Sequence, residues 1–529
     1  MHPPIAGATS PCRTHLRAAS LLRSPLFRRS TQRNAGVRGE IAKGAAWMVL
    51  FRLVDRSIGI VSTIILARLL LPADFGLVAM AMSIIAVIEL ATAFSFEIAL
   101  IQKADPQREH YDTAWTLNIL VAAGGAVVTA ALALPASAFY GDPRLVAVML
   151  AIGAAWFLSG FENVGTVNFR RNMDFATEFR LLATKRMVTF CVTIGAALLF
   201  RSYWALVIGM ATGRIVGVVL SYAMQPFRPR LSLQCTRELF SFSGWLLVNN
   251  IASVVLSKVP HFFVGRSFGA QTLGAYTVGS EIAQLAHTEL VAPINRAMFP
   301  GYSRLVNDLP AFRRTCIDAT AAILMLVLPV CVGVAVLAGP VVRLLLGEQW
   351  GEAAPVIEVL AFAGAVSAIT SNNIAAYIAL GRPRLTTVIL LTRLALLAAM
   401  VALFVGDYGL MGVAYAELIA ALGSLAVSLP ILFRTLHLPV AGYLANLWRP
   451  LVASCLMGWG VHAAAQAAGS GDSLSGAVVA LMVAVPVGAV LYPLIVAALW
   501  LLSGKPESVE TLVVRKLQEL LRKPAQEGA

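Results

Sequence analysis

The sequence predicts an all-α polytopic membrane protein, with about fourteen transmembrane helices in two six-helix lobes plus two additional helices. Three observations carry that prediction. Hydrophobic residues make up 58% of the 529 and charged residues only 13%, with a mean hydropathy of +0.78, more apolar surface than a soluble core absorbs. Runs of about 20 apolar residues, the length that crosses roughly 30 Å of hydrocarbon, occur fourteen times along the chain. Polar positions inside the first run return 198 residues later, inside the seventh.

Taken in order, residues 1–43 carry scattered arginines with Pro3, Pro4, Pro11 and Pro25 and no apolar core of a signal peptide, so they read as a basic, disordered cytoplasmic tail. The first lobe, 44–224, holds crossings at 44–70, 77–101, 113–135, 145–165, 179–200 and 203–224. An inter-lobe linker, 225–240, leads to the second lobe, 241–433, with crossings at 241–265, 273–297, 317–339, 353–380, 385–405 and 410–433. Two more follow at 447–465 and 476–502, within 447–502. In the tail, 503–529, Leu512, Val513, Leu517, Leu520 and Leu521 alternate with charges, the pattern of a short amphipathic helix at the membrane face.

Basic residues orient the chain. With the N-terminus inside, 28 Lys and Arg fall in or beside cytoplasmic segments, against four on the other side, Arg144, Arg201, Arg266 and Arg343. Shifting the count by one crossing destroys this bias, so both termini are expected in the cytoplasm. The net charge of +14 is then mostly topological. No basic patch interleaved with aromatic residues marks a nucleic-acid partner.

The polar positions define the candidate site. Arg52, Asp55, Arg56, Gly59 and Thr63 fall within about 100° on one face of crossing 1. The offset of 198 gives Asn250, Ser253, Ser257 and His261 on crossing 7, with Lys258 beside them. Arg68 likewise meets Arg266, and Gly76 meets Gly274. Six crossings separate equivalent elements, so the lobes share one orientation and are related by an axis along the membrane normal. Charges at this depth mark pathways or interhelical pairs. Arg52 and Asp55, three residues apart, can neutralise each other. Arg214 and Arg393 suit either a substrate groove or interhelical pairing, and Lys185 and Arg186 are placed to snorkel to the cytoplasmic surface. Glu89, near the middle of crossing 2, has His287 as its counterpart, and the two are candidates for proton or cation coupling.

Other chemistries are missing from the sequence. The six cysteines lie far apart, without metal-ligand or disulfide spacing. There is no phosphate-binding loop of an ATP motor, and no zinc-protease or serine-hydrolase motif.

Several segments resemble one family. ILARLLLPADFGLVAMAMSIIAVIELA (Ile65 to Ala91), ALIQK (Ala99 to Lys103), FGAQTLGAYTVGSEIAQL (Phe268 to Leu285), FPGYSRL (Phe299 to Leu305) and LLLGEQWGEAAPVIEVLA (Leu344 to Ala361) are similar, in order and spacing, to the polysaccharide-transporter family of oligosaccharide flippases. That family includes the lipopolysaccharide and exopolysaccharide transporters of the O-antigen and colanic-acid type, and it belongs to the multidrug/oligosaccharidyl-lipid/polysaccharide (MOP) superfamily. The resemblance implies a MATE-like fold around a central cavity, and a transporter rather than an enzyme. It also implies alternating access for a polyprenyl-diphosphate-linked oligosaccharide in the bacterial cytoplasmic (inner) membrane. No cofactor is implied, and a proton or sodium gradient is a candidate energy source. Expected partners are membrane lipids, a polysaccharide polymerase and a chain-length regulator. Arginine suits a diphosphate because its planar fork donates paired hydrogen bonds and keeps its charge, which makes Arg52, Arg56, Arg214, Lys258 and Arg393 the candidate anion contacts. Two other readings remain: a multidrug exporter, which calls for uncompensated carboxylates in the cavity, and a glycan polymerase or ligase. The second calls for a larger extracytoplasmic loop than Pro340 to Glu352, the longest one expected.

The topology is testable. Single cysteines at Asp105, Arg230, Leu309 and Arg384 on a cysteine-free background are expected to resist an impermeant thiol reagent in intact cells, and labelling at two or more overturns the helix count.

Overall fold

The computed structural model describes residues 47–48, 50–91, 96, 100–101, 103, 105–236, 244–469, 473–505 and 509–511. The expectations for residues 1–43, and for all but the start of the amphipathic tail, lie outside them. Among the described residues every regular element is helical. The helices are α1 (50–69), α2 (Pro72–Ala91), α3 (Arg108–Tyr140), α4 (Arg144–Ser159), α5 (Phe175–Phe200), α6 (Trp204–Met224), α7 (244–268) and α8 (270–304). They continue as α9 (Leu309–Val336), α10 (Ala353–Ala379), α11 (383–408), α12 (410–436), α13 (Val440–Ala467) and α14 (Leu474–Leu502). Each expected crossing overlaps one of these helices, although the one at 145–165 runs past the end of α4 at Ser159 and the one at 77–101 past the end of α2 at Ala91.

Among the described residues eight helical stretches are long and apolar enough by themselves to cross a membrane, or nine when α4 and the short segment Val164–Arg171, bent by 64°, are joined. One of the eight runs 54 residues, Pro383–Leu436, about 80 Å of helix against roughly 30 Å of hydrocarbon. It is two crossings, α11 and α12. The chain reverses between them at Gly409 (φ 58) and between α7 and α8 at Gly269 (φ 79), where a left-handed backbone favours glycine. Arg201 (φ 45) makes the similarly tight join between α5 and α6.

The two lobes meet at one end of the bundle, where α1 finishes and α2 begins. Here α2 and α8 cross so closely that a Cβ on Gly76 would overlap the Ala270 carbonyl, and one on Gly274 the Pro72 carbonyl. Ala270 and Gly274 stand 198 residues after Pro72 and Gly76, so the contact is the same surface on both lobes, an isologous crossing on the pseudo-twofold axis. The segment after α9 reinforces it. A short helix, Ala338–Leu345, and a 3₁₀ turn, Glu348–Trp350, lead back across the axis to α1. Trp350, fully buried, donates its indole N–H to the Ala67 carbonyl at 2.9 Å and packs edge-on to Phe75, 5.1 Å between centroids. Arg68 donates to the Arg343 carbonyl at 3.1 Å and also to that of Leu344. The Pro340–Glu352 connection is therefore a folded clasp.

The linker belongs to the first lobe. Backbone N–H groups of Arg230, Ser232 and Cys235 donate to side chains of Asp112, Thr116 and Thr113 at the start of α3, and Asn163 and Gln225 tie it to the break after α4. Helices α13 and α14 pack on α9 through Val332, Met457, Val461, Ala480 and Ala484. The first described turn of the C-terminal tail is held against the bundle: Glu510 pairs with Arg449 at 2.9 Å, with side chains 7% and 2% exposed.

Adding a methyl at the axis is expected to separate the lobes. Gly76→Ala should cost about 1–3 kcal/mol by overpacking and lower the melting temperature in detergent, whereas Gly124→Ala, which meets open space, should leave it unchanged or raise it.

Candidate functional site

A cavity of about 480 Å³ lies between the lobes. Its first-lobe wall comes from α1 (Ile58, Ser62), α2 (Val78, Met82), α5 (Arg186, Thr189, Thr193) and α6 (Gly209, Gly213), and α7 and α8 supply Lys258, His261, Thr277 and Glu281 opposite. Counting 1.5 Å per residue from the reversal at Gly269, Lys258 lies about 16 Å and Glu281 about 18 Å from the clasp. On the same scale Arg56, counted from the end of α1, lies about 20 Å and Glu289 about 30 Å away. Side chains tilt towards the N-terminus of their own helix, and α1 and α8 run in opposite directions, so these two converge. Arg56 Nε and Glu289 Oε1 are 3.0 Å apart, an ion pair between the lobes on the side of the cavity remote from the clasp.

The charges in this region largely neutralise one another. Asp55 pairs with Arg186 of α5 at 3.0 Å, not with Arg52 as the spacing of three suggests. Arg52 is exposed near the start of α1. Arg186 does not snorkel to the surface; it reaches inward across α1, and a Cβ on Gly59 would stand 3.0 Å from its Nη2. The small residue at 59 leaves the guanidinium room to reach Asp55. Glu281 lies within electrostatic reach of both Arg56 and Lys258.

The remaining candidates sit inside single lobes. Arg214 of α6 binds Glu89 of α2 at 2.6 Å and Ser159 of α4 at 3.2 Å, which ties three first-lobe helices together. Ser253, Ser257, His261, His287 and Arg393 line a second polar cavity of about 190 Å³ within the second lobe. There Tyr276 donates to Glu417 at 2.5 Å. Ser257 returns its hydroxyl to the Val254 carbonyl, and Thr63 is half-buried on α1. Asn250 lies on α7, but its side chain is outside the described residues. The two stripes thus do not face one common surface: α7 turns Lys258 and His261 to the central cavity, and its serines, with His261 again, to the second. Among the described residues no cluster of His, Cys, Asp and Glu fits a metal ion.

Sequence reasoning left Arg186, Glu289 and the Tyr276–Glu417 pair out of the site residues. The sequence signals for Glu289 are its charge inside an apolar crossing and Pro293, four residues on. A double-mutant cycle on Asp55→Ala and Arg186→Ala should give a coupling of about 0.2–1 kcal/mol in thermal stability, the range for a pair of which each side chain is over one-third exposed. The same cycle with Arg52 in place of Arg186 should give none.

Comparisons with known proteins agree with this architecture. The family described as "Polysaccharide biosynthesis protein" matches residues 65–355. The succinoglycan biosynthesis transport protein ExoT of Rhizobium meliloti is 23% identical over 61% of this chain, and the match spans 65% of that protein, just under two thirds. The lipopolysaccharide biosynthesis protein WzxC of Escherichia coli is 21% identical over 63% of this chain and 68% of its own. Among solved structures, the lipid II flippase MurJ in an inward closed conformation superposes with a TM-score of 0.67 over 85% of this chain and 99% of its own, at 13% identity. An inward-facing multidrug resistance MATE family transporter of the MOP superfamily gives 0.50 over 72% and 94%, at 15% identity. With a family match over more than half its length and the helical architecture of these transporters, the chain belongs to the polysaccharide biosynthesis protein family of multi-pass membrane proteins.

Proposed function

We propose that the protein is a flippase that carries polyprenyl-diphosphate-linked oligosaccharide units across the bacterial cytoplasmic membrane by alternating access, for lipopolysaccharide, exopolysaccharide or capsule biosynthesis. The observation that carries this reading is the cavity between two related lobes, clasped at one end, whose largely apolar wall carries Arg186, Lys258 and Glu281, with Arg56 beyond them. Moving a glycan through hydrocarbon unaided costs many unmade hydrogen bonds, and a polar cleft that opens to alternate sides removes that cost. With the N-terminus in the cytoplasm, as the basic residues imply, the clasp closes the periplasmic side and substrate enters from the Arg56 side. Arg56 is the main contact for the diphosphate, and Lys258 supplies a second positive charge deeper in. The Glu89–Arg214 pair and the second-lobe cavity around Glu417, His287 and Arg393 are the places where a proton or sodium ion would be coupled to lobe motion.

The relatives' names support transport in polysaccharide biosynthesis, and the likeness to the lipid II flippase supports the fold. A polysaccharide polymerase and a chain-length regulator are the expected functional neighbours. One carboxylate, Glu281, lines the cavity, as the drug-exporter reading asks, but it lies within electrostatic reach of Arg56 and Lys258, and Asp55 and Glu289 nearby are each paired with an arginine, which leaves the region a poor site for an organic cation.

Reconstituted vesicles with defined lipid-linked glycans test this. Arg56→Ala is expected to reduce transport about ten-fold or more, because a hydrogen bond to a charged group is worth roughly 1.5–3 kcal/mol, and Arg56→Lys should lie between it and the wild type. Full glycan transport by Arg56→Ala at normal abundance, or export of a cationic dye by the wild type without glycan transport, overturns the assignment.

A further inference from the structure

The Arg56–Glu289 contact joins residues of different lobes, and it is incomplete. The side chains are 40% and 36% exposed, so the pair sits where water reaches it and where ion pairs are worth only about 0.2–1 kcal/mol. Arg56 Nε is nevertheless buried, and its N–H is aligned on no acceptor among the described residues. The carboxylate supplies charge at ion-pair distance without meeting the directional demand of the guanidinium fork. A diphosphate, with more charge and oxygens pointing in several directions, meets both.

Glu289 reaches this position through a local distortion of α8. Pro293 has no amide hydrogen to offer the Glu289 carbonyl, and its ring crowds that carbonyl. The helix widens into a π-helical turn over His287–Val291, in which the Ala292 N–H bonds to the His287 carbonyl, five residues back. Such isolated turns recur at functional sites, and here the turn carries the residue that crosses to the other lobe.

We propose that Glu289 is a built-in competitor for the anionic substrate: it neutralises Arg56 while the cavity is empty, bridges the lobes there, and is displaced when the diphosphate of a lipid-linked glycan takes the guanidinium. The inference rests on the reading of Arg56 as the anion contact. Displacement breaks the cross-lobe pair and leaves the Glu289 charge facing the incoming diphosphate. Repulsion between them then pushes the α8 wall away from α1, so substrate binding favours the state in which the lobes are parted on this side. Anions too weak to displace the carboxylate leave the pair closed, which makes Glu289 a specificity determinant.

The test measures binding of farnesyl diphosphate to the purified full-length protein in nanodiscs of zwitterionic lipid at low salt. Wild type, Glu289→Gln, Arg56→Ala and the double variant are compared. Glu289→Gln is expected to bind about two- to five-fold more tightly, the ratio that corresponds to an exposed pair. Arg56→Ala should bind more weakly, and the Glu289→Gln gain should vanish in its background. If Arg56→Ala is weak but Glu289→Gln binds as the wild type does, displacement is overturned and the reading of Arg56 stands. An equal gain in both backgrounds assigns the effect to the general field of the cavity and also overturns the proposal. Wild-type affinity in Arg56→Ala overturns the reading of Arg56 itself. Where Glu289→Gln is not recovered folded, Glu289→Asp, whose shorter arm draws the charge back from Arg56, replaces it with a gain of the same sign expected.

Discussion

The crossing of α2 and α8 at Gly76 and Gly274 is the constraint on which the rest of the structure depends. Two helices approach backbone to backbone only where side chains are missing on both, and here each glycine faces the carbonyl of the residue four before its partner glycine. Because the contact lies on the axis relating the lobes, rotation about that axis region changes it least. Everything further along the helices diverges from it. The cavity is what this geometry leaves open, and the Trp350 clasp gives it a floor.

A cleft that carries several ionised groups at membrane depth must neutralise them, since an isolated charge there is expensive. The chain does this with pairs of differing reach. Arg214–Glu89 and Asp55–Arg186 stay inside the first lobe and tie its helices to one another. Arg56–Glu289 spans the lobes and therefore depends directly on their relative position. The same chemistry joins helices within a lobe in two cases and joins the lobes themselves in the third.

What could be read from the sequence follows from this division. Helix count and the halving of the chain were legible because both rest on periodicity and length, and the offset that matched Gly76 with Gly274 named the two residues that touch. The positions of polar residues along each helix were legible too. Their partners were not. Asp55 lies three residues from one arginine and 131 from another, and the distant one is its partner because α5 turns Arg186 inward past Gly59. No single-helix projection contains the azimuth of one helix relative to its neighbour. The Pro340–Glu352 connection was underestimated for a related reason: its short length suggested a plain loop, while its tryptophan and the backbone carbonyls it offers to Arg68 make it part of the lobe contact.

The buried pair between Arg449 and Glu510 bears on how the protein is made. Arg449 lies within α13, and the carboxylate that neutralises it is translated some sixty residues later. Until that segment has left the ribosome and folded back, the arginine is an uncompensated charge in an otherwise apolar neighbourhood, a defect worth about 3–5 kcal/mol. The apolar contact of α13 and α14 with α9 does not use this pair, but the burial of Arg449 is compensated only once residue 510 has been made. A chain that stops short of it would bury the guanidinium without its carboxylate.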